Sequence, residues 1–239
     1  MTRTYETLGK AITPRNIEHA VYSPQLEYAI FSSAENKSPA FIITSCPRSG
    51  TLYITRLLQA LDIPTRHESV YGIKPQSADP SIGEVSWAAA AFLNTLPDTA
   101  PIIHLTRSPQ DTISSAVAVW SRVPDNDATR LHTKVVDQFC PGLPHTDRVR
   151  RETAFYFKWH ALIQDSATNK NYLRYRIEDI DTALPQILHF LSIKRTEDQI
   201  QRALATVPKN TNTIGEVYRL PLRFTEDQRR QAQRLGYQV

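Results

Sequence analysis

Arg48, Ser49, Gly50 and Thr51 stand where a short apolar run ends and a helical pattern begins, and they are residue types that grip a phosphate. Arginine is a fixed cation whose planar fork can hold two oxygens of one anion. Ser49 and Thr51 add hydroxyl donors, and Gly50 lets the backbone approach closely. From Thr51 the following helix begins, and its first N–H groups have no partner inside the helix and favour a negative charge. Read alone, the same string is also an ordinary strand–helix turn with a serine cap. It is not a GxxxxGK[ST] loop, which disfavours a Mg²⁺-dependent nucleotide kinase, and no residues suggest a divalent-metal site.

The device recurs at Arg107-Ser-Pro-Gln-Asp-Thr-Ile-Ser-Ser115. Arg107 closes a second apolar run, and Ser115 lies about two turns into the next helix. A second cation and a second hydroxyl are thereby offered beside the first pair. Two anion sites at neighbouring strand ends suit a ligand phosphorylated at both ends, such as a 3′,5′-bisphosphorylated nucleoside.

The elements that must position these residues alternate. Phe41–Thr44 and Pro101–Thr106 read as buried parallel strands, with a third over Asn171–Ile177. Leu52, Ile54, Leu57, Leu58 and Leu61 share one helical face, and Pro64 ends that helix. Further helices are expected over Ser86–Leu96, Gln110–Trp120, Glu152–Thr168, Leu184–Leu191 and Thr225–Leu235, with Pro109 at a helix start. Residues 121–147, rich in Pro, Asp and His, read as a long functional loop or a poorly ordered segment. Strands alternating with helices predict an α/β fold, a three-layer P-loop-like arrangement with a central parallel sheet flanked by helices. Residues 1–38 read as an N-terminal extension packed on a domain spanning 39–239, with a short helix near Tyr22–Phe31.

The chain of 239 residues is long enough to bury a real core, and 41% hydrophobic with 22% charged residues is ordinary for a soluble protein. A net charge of +4 tolerates an anionic ligand but is too small to argue for nucleic acid. Cys46 and Cys140 make neither a disulfide framework nor a zinc site. The opening MTRTYETLGK lacks a signal-peptide profile, and no apolar run approaches the ~18 residues of a membrane span, so a soluble cytoplasmic protein is expected.

With both signatures in view, the chain resembles the sulfotransferases that use PAPS (3′-phosphoadenosine 5′-phosphosulfate). Their [K/R]-S-G-T loop matches Pro47–Thr51, and their Arg-x-Pro followed by Ser eight residues after the Arg matches Arg107, Pro109 and Ser115. Tyr172–Ile180 followed by Leu184–Ile193 looks like the family's LRYEDL segment, and Arg223–Tyr237 looks like the final helix of bacterial members. The resemblance covers roughly residues 40–239. It implies that Arg48, Ser49, Gly50, Thr51 and Leu52 hold the 5′-phosphosulfate while Arg107 and Ser115 hold the 3′-phosphate. It also implies PAP (adenosine 3′,5′-bisphosphate) as product, no required metal, and a small-molecule acceptor such as a natural product or carbohydrate. The chain departs from the family where Ile177 replaces the tyrosine of the YED segment, and the late glycine loop is only faint around Lys209–Gly215.

Sulfuryl transfer needs a cation on the leaving oxygen, for which Arg48 is the candidate, and a base for the acceptor proton. Glu68 ranks first as that base, Glu84 second and His67 third. His67-Glu68 falls where similar bacterial enzymes carry a His-Glu pair or a lone Glu, and Glu84 near the catalytic His of cytosolic eukaryotic ones. His104, inside an apolar run, reads instead as a satisfied core histidine. Tyr71, Trp87, Trp120, His132 and Trp159 are candidates for lining an acceptor pocket. Two other readings stand beside this one: a non-catalytic bisphosphate-nucleotide binder, and a P-loop nucleotide or small-molecule kinase.

Overall fold

The structure is a computed structural model that describes residues 38–72, 76–122, 127–209 and 219–239. Five parallel strands form one sheet: β1 (Ile42–Thr44), β2 (Thr65–His67), β3 (Gly83–Val85), β4 (Ile102–Thr106) and β5 (Tyr172–Arg176), in the order β2-β3-β1-β4-β5. Side chains alternate across the sheet as the two-residue strand period requires. Ile42 and Ile102 enter one core, with the 3₁₀ segment Ala88–Thr95, Phe155 and Trp159. Ile43 and Ile103 enter the other, with Ile54, Leu57, Leu58, Leu184 and Ile187. The expected three layers are therefore present.

Seven α-helices are described: α1 (Thr51–Ala60), α2 (Pro109–Trp120), α3 (Asp127–Phe139), α4 (Arg148–Ser166), α5 (Ile180–Phe190), α6 (Glu197–Thr206) and α7 (Glu226–Arg234). Ser108 caps α2 by accepting from Asp111 N, with Pro109 in its first turn, and Asp147 caps α4 by accepting from Arg150 N. Thr196 and Thr225 form capping boxes with Gln199 and Gln228 at the starts of α6 and α7. No described helix is long and apolar enough to cross a membrane.

Several expectations need correction. The irregular stretch expected over 121–147 carries α3, because His132, Val135 and Val136 recur at helical spacing and are buried together. Helix α5 begins four residues before Leu184 and carries Pro185 inside it. The segment expected as a helix over Ser86–Leu96 is 3₁₀ rather than α, and α6 had no counterpart in the sequence reading. Strands β2 and β3 were also unforeseen: each has three residues, and each carries a charged one, Arg66 and Glu84. The helix expected near Tyr22–Phe31, and all of the late loop after Lys209, lie outside the described residues.

After β1 the chain builds β2 and β3 on one side of that strand, then crosses to place β4 on the other. In open α/β sheets such a change of direction leaves a crevice at the carboxyl ends of the two strands. The loops bearing Arg48 and Arg107 leave those two ends.

Candidate active site

The loop from Ser45 to Gly50 turns tightly between β1 and α1. Ser49 N bonds Cys46 O at 3.3 Å, and two residues adopt left-handed backbone, Arg48 (φ 71°) and Gly50 (φ 93°). Gly50 is required twice over. Its φ favours glycine, and a Cβ there would stand 3.0 Å from Cγ1 of Ile177. Ile177, where the family resemblance expects a tyrosine, packs directly over this loop. Behind the loop, Trp159 on α4 donates from Nε1 to Ser45 O at 3.1 Å.

The two anion sites expected from the sequence meet. Arg107 Nη1 donates to Arg48 O at 3.0 Å, and Arg48 Nε donates to Ser115 Oγ at 3.1 Å. Arg48 therefore reaches the serine on α2 that the sequence reading pairs with Arg107. Burial, then the neighbouring Arg107, lowers the Arg48 pKa, yet an arginine this basic stays charged. Two cations are held in one crevice with the first turn of α1. Ser49 Oγ is buried there without a hydrogen-bond partner, and the side chain of Leu52 is half-buried in the same turn. Buried hydroxyls are normally satisfied, and together these groups fit an anionic ligand.

The tip of β2 supplies the carboxylate side. His67 Nε2 lies 3.1 Å from Thr51 Oγ1 and 3.8 Å from Glu68 Oε1, which ties the His67-Glu68 pair to the start of α1. Burial and Arg56 push the His67 imidazole down to about 4, so it is neutral at pH 7. Solvent reaches the rim of Glu68, and burial of the rest pushes its carboxyl up to about 7. Glu84 lies deeper, on β3. Burial also raises its carboxyl to about 7, against the opposing pull of the Val70, Ser69 and Tyr71 amides, while the nearby Glu68 adds a small further rise. All ten candidate residues thus gather at or beside the carboxyl ends of β1 to β4.

Supports that the sequence did not disclose hold this arrangement. Tyr156 on α4 donates to Arg107 O at 2.7 Å. Glu178 accepts from Ser108 N at 2.7 Å through Oε1, and from the Tyr237 hydroxyl at 2.9 Å through Oε2. Tyr237 also lies 3.2 Å from Thr106 Oγ1 and stacks under the Arg176 guanidinium. Tyr156 and Trp159 sit three residues apart on one helix, where aromatics ordinarily read as core. Their polar tips are the signal that could have marked them.

Beside the loop lies an aromatic cluster. The His132 ring is 4.2 Å from Trp120 and 5.1 Å from Trp87, and Trp87 is 5.4 Å from Trp159. His132 Nε2 and Trp120 Nε1 are buried without hydrogen-bond partners. Tyr71 stacks on Phe92. His104 is the core histidine expected: Nδ1 lies 2.7 Å from the Tyr172 hydroxyl and Nε2 lies 2.7 Å from His160 Nδ1. Among the described residues, no group of three or more His, Cys, Asp or Glu could hold a metal ion.

A five-stranded parallel sheet with helices on both faces is a fold this chain shares with the sulfotransferases. The structure is similar to the crystal structure of mouse sulfotransferase SULT7A1 complexed with PAP, at 15% identity, 90% coverage of this chain, 89% of that chain and a TM-score of 0.53. It is also similar to the sulfotransferase domain from the curacin biosynthetic pathway, at 15% identity, 85% coverage of this chain, 99% of that chain and a TM-score of 0.53. No family model matches the sequence, and no curated protein matches it.

Proposed function

We propose that this protein transfers a sulfuryl group from PAPS to a hydroxyl or amine of a small acceptor, releasing PAP. The observation that carries the reading is the hydrogen-bonded trio Arg107–Arg48–Ser115 beside the start of α1, on a fold shared with a sulfotransferase complexed with PAP. Paired cations at neighbouring strand ends match a ligand with a phosphate at each end.

In this reading the acceptor oxygen or nitrogen forms a bond to sulfur as the bond from sulfur to the bridging oxygen of the 5′-phosphate breaks. The electron pair leaves on that phosphate oxygen, where the α1 amides, Ser49, Thr51 and the guanidinium of Arg48 stabilise it. The acceptor proton passes to the Glu68 carboxylate. A carboxyl raised to about 7 is matched to proton transfer near neutral pH. Neutral His67, 3.1 Å from Thr51 Oγ1 and 3.8 Å from Glu68 Oε1, does not compete for the proton. Trp87, Trp120 and His132 form the wall on which the acceptor rests. Both cysteines are free and buried, which suits the reducing cytoplasm.

Calorimetry with PAP, followed by transfer of ³⁵S from labelled PAPS to a panel of small hydroxyl and amine acceptors, tests the reading. Micromolar binding of PAP and a labelled acceptor product are expected. Absence of PAP binding overturns it. Tight PAP binding without transfer to any acceptor would instead leave a nucleotide-binding protein.

A further inference from the structure

Glu68 is a non-glycine residue in left-handed backbone, with φ 51°. Such a conformation persists only where its surroundings over-determine it, and it is a pointer to function when found beside a ligand crevice. The surroundings here are specific. Glu68 N donates to Val85 O at 3.0 Å, which fixes the entry to the turn. Gly72 closes the turn against it so tightly that a Cβ at Gly72 would come within 1.9 Å of the Glu68 carbonyl oxygen. Ser86 Oγ donates to Tyr71 O at 2.9 Å. The remaining hold comes from Glu84, whose Oε1 accepts from Ser69 N at 2.8 Å and from Val70 N at 3.1 Å. Successive amides that converge on one anion form a nest. Here the anion is the protein's own side chain, 1% exposed and fixed in the sheet between Ile42 of β1 and Arg66 of β2.

We propose that Glu84 is a positioning residue: its carboxylate, seated on the amides that follow Glu68, locks the left-handed turn and so aims Glu68 at His67 and the start of α1. Glu84 then has no part in moving the proton. Its Oε1 is committed to backbone donors and its Oε2 is buried without a hydrogen-bond partner, out of reach of an acceptor, whereas Glu68 is the carboxylate that solvent reaches. The consequence for catalysis rests on the sulfuryl-transfer reading above, but the clamp itself does not.

The test compares Glu84→Gln with Glu84→Ala. A glutamine keeps an oxygen that can accept from Ser69 N and Val70 N, whereas alanine keeps none. Amide hydrogen exchange across residues 68–72 is expected to stay slow in the wild type and in Glu84→Gln. In Glu84→Ala it should accelerate about tenfold or more, the loss of a charge-assisted acceptor. In the transfer assay, Glu84→Ala should lose roughly 10²-fold in kcat with the PAP Kd within threefold of wild type, and Glu84→Gln should recover at least tenfold of that loss. Two results overturn the proposal: unchanged exchange in Glu84→Ala, or a Glu84→Gln protein as inactive as Glu68→Gln, which would give the proton to Glu84. Should Glu84→Ala fail to fold, the Glu84→Gln comparison still decides. Should the wild type transfer no sulfuryl group, the functional reading fails and the exchange measurement judges the clamp by itself.

Discussion

The guanidinium of Arg107 donates to the backbone carbonyl of Arg48 across 3.0 Å, so the side chain at the end of one strand braces the loop at the end of its neighbour. The bond makes Arg107 a structural strut in addition to its proposed role as a ligand cation. Arg107→Ala should therefore weaken PAP binding by at least tenfold, from loss of a charge-assisted contact of about 1.5–3 kcal/mol. Arg107→Lys keeps the charge but not the planar fork, and its affinity should fall between wild type and alanine. Calorimetry on the three proteins measures this, and equal affinities would remove Arg107 from the site.

Gly50→Ala should destabilise the protein by about 1–2 kcal/mol through its left-handed backbone alone, with a further loss from the approach to Ile177. The double variant with Ile177→Ala should regain the packing part and keep the backbone part. Urea midpoints of the single and double variants separate the two contributions, and a neutral Gly50→Ala contradicts the geometry of the loop.

Glu68→Gln should leave the PAP Kd unchanged and cut kcat by about 10²-fold or more. In the wild type, the acidic limb of the pH–rate profile should fall near pH 7, where the Glu68 carboxyl takes up its proton. Full turnover in Glu68→Gln would transfer the role elsewhere.

Acid should unfold the protein in a particular window. Burial holds His132 and His160 down at about 3, His67 at about 4, and His104 well below the ordinary 6.5. The unfolded chain binds those protons near pH 6.5 while the fold resists them, so this stability is complete above that pH and drains as the pH falls. Glu68 and Glu84 act in the opposite sense. Raised to about 7, they contribute stability below about 4.5 that is lost as the pH rises through 7. The two trends oppose each other between pH 4.5 and 6.5, and below 4.5 these histidines stand alone among those groups. Urea midpoints should drop steeply toward pH 3, on the order of 1.4 kcal/mol per pH unit for each imbalanced imidazole. A flat profile there would show that the imidazoles are charged in the fold.

How legible these features were depended on how far apart their partners lie in the chain. The strand–loop–helix turn was readable because Arg48 to Thr51 is contiguous and its glycine is needed locally. The strand end at Arg107 and the helix carrying Ser115 were readable because Pro109 marks the start of α2 between them. Strands β2 and β3 were not, since three-residue strands carrying Arg66 and Glu84 show no apolar period. Helix α3 was masked by the prolines and acidic residues around it. The remaining supports are long-range: Glu84 meets amides 14 and 15 residues away, and Tyr237 meets Thr106 131 residues away. No local pattern encodes such meetings, and only packing creates them.

The Trp159 bond to Ser45 has an optical corollary. The chain has three tryptophans, and Trp87, Trp120 and Trp159 all belong to the single aromatic group around His132 that abuts the phosphate loop. Intrinsic indole emission therefore samples one neighbourhood. Titrating a nucleotide into unlabelled protein should shift the spectrum directly, and a fluorescence-monitored melt would track the collapse of that corner rather than of the helices on the opposite face of the sheet.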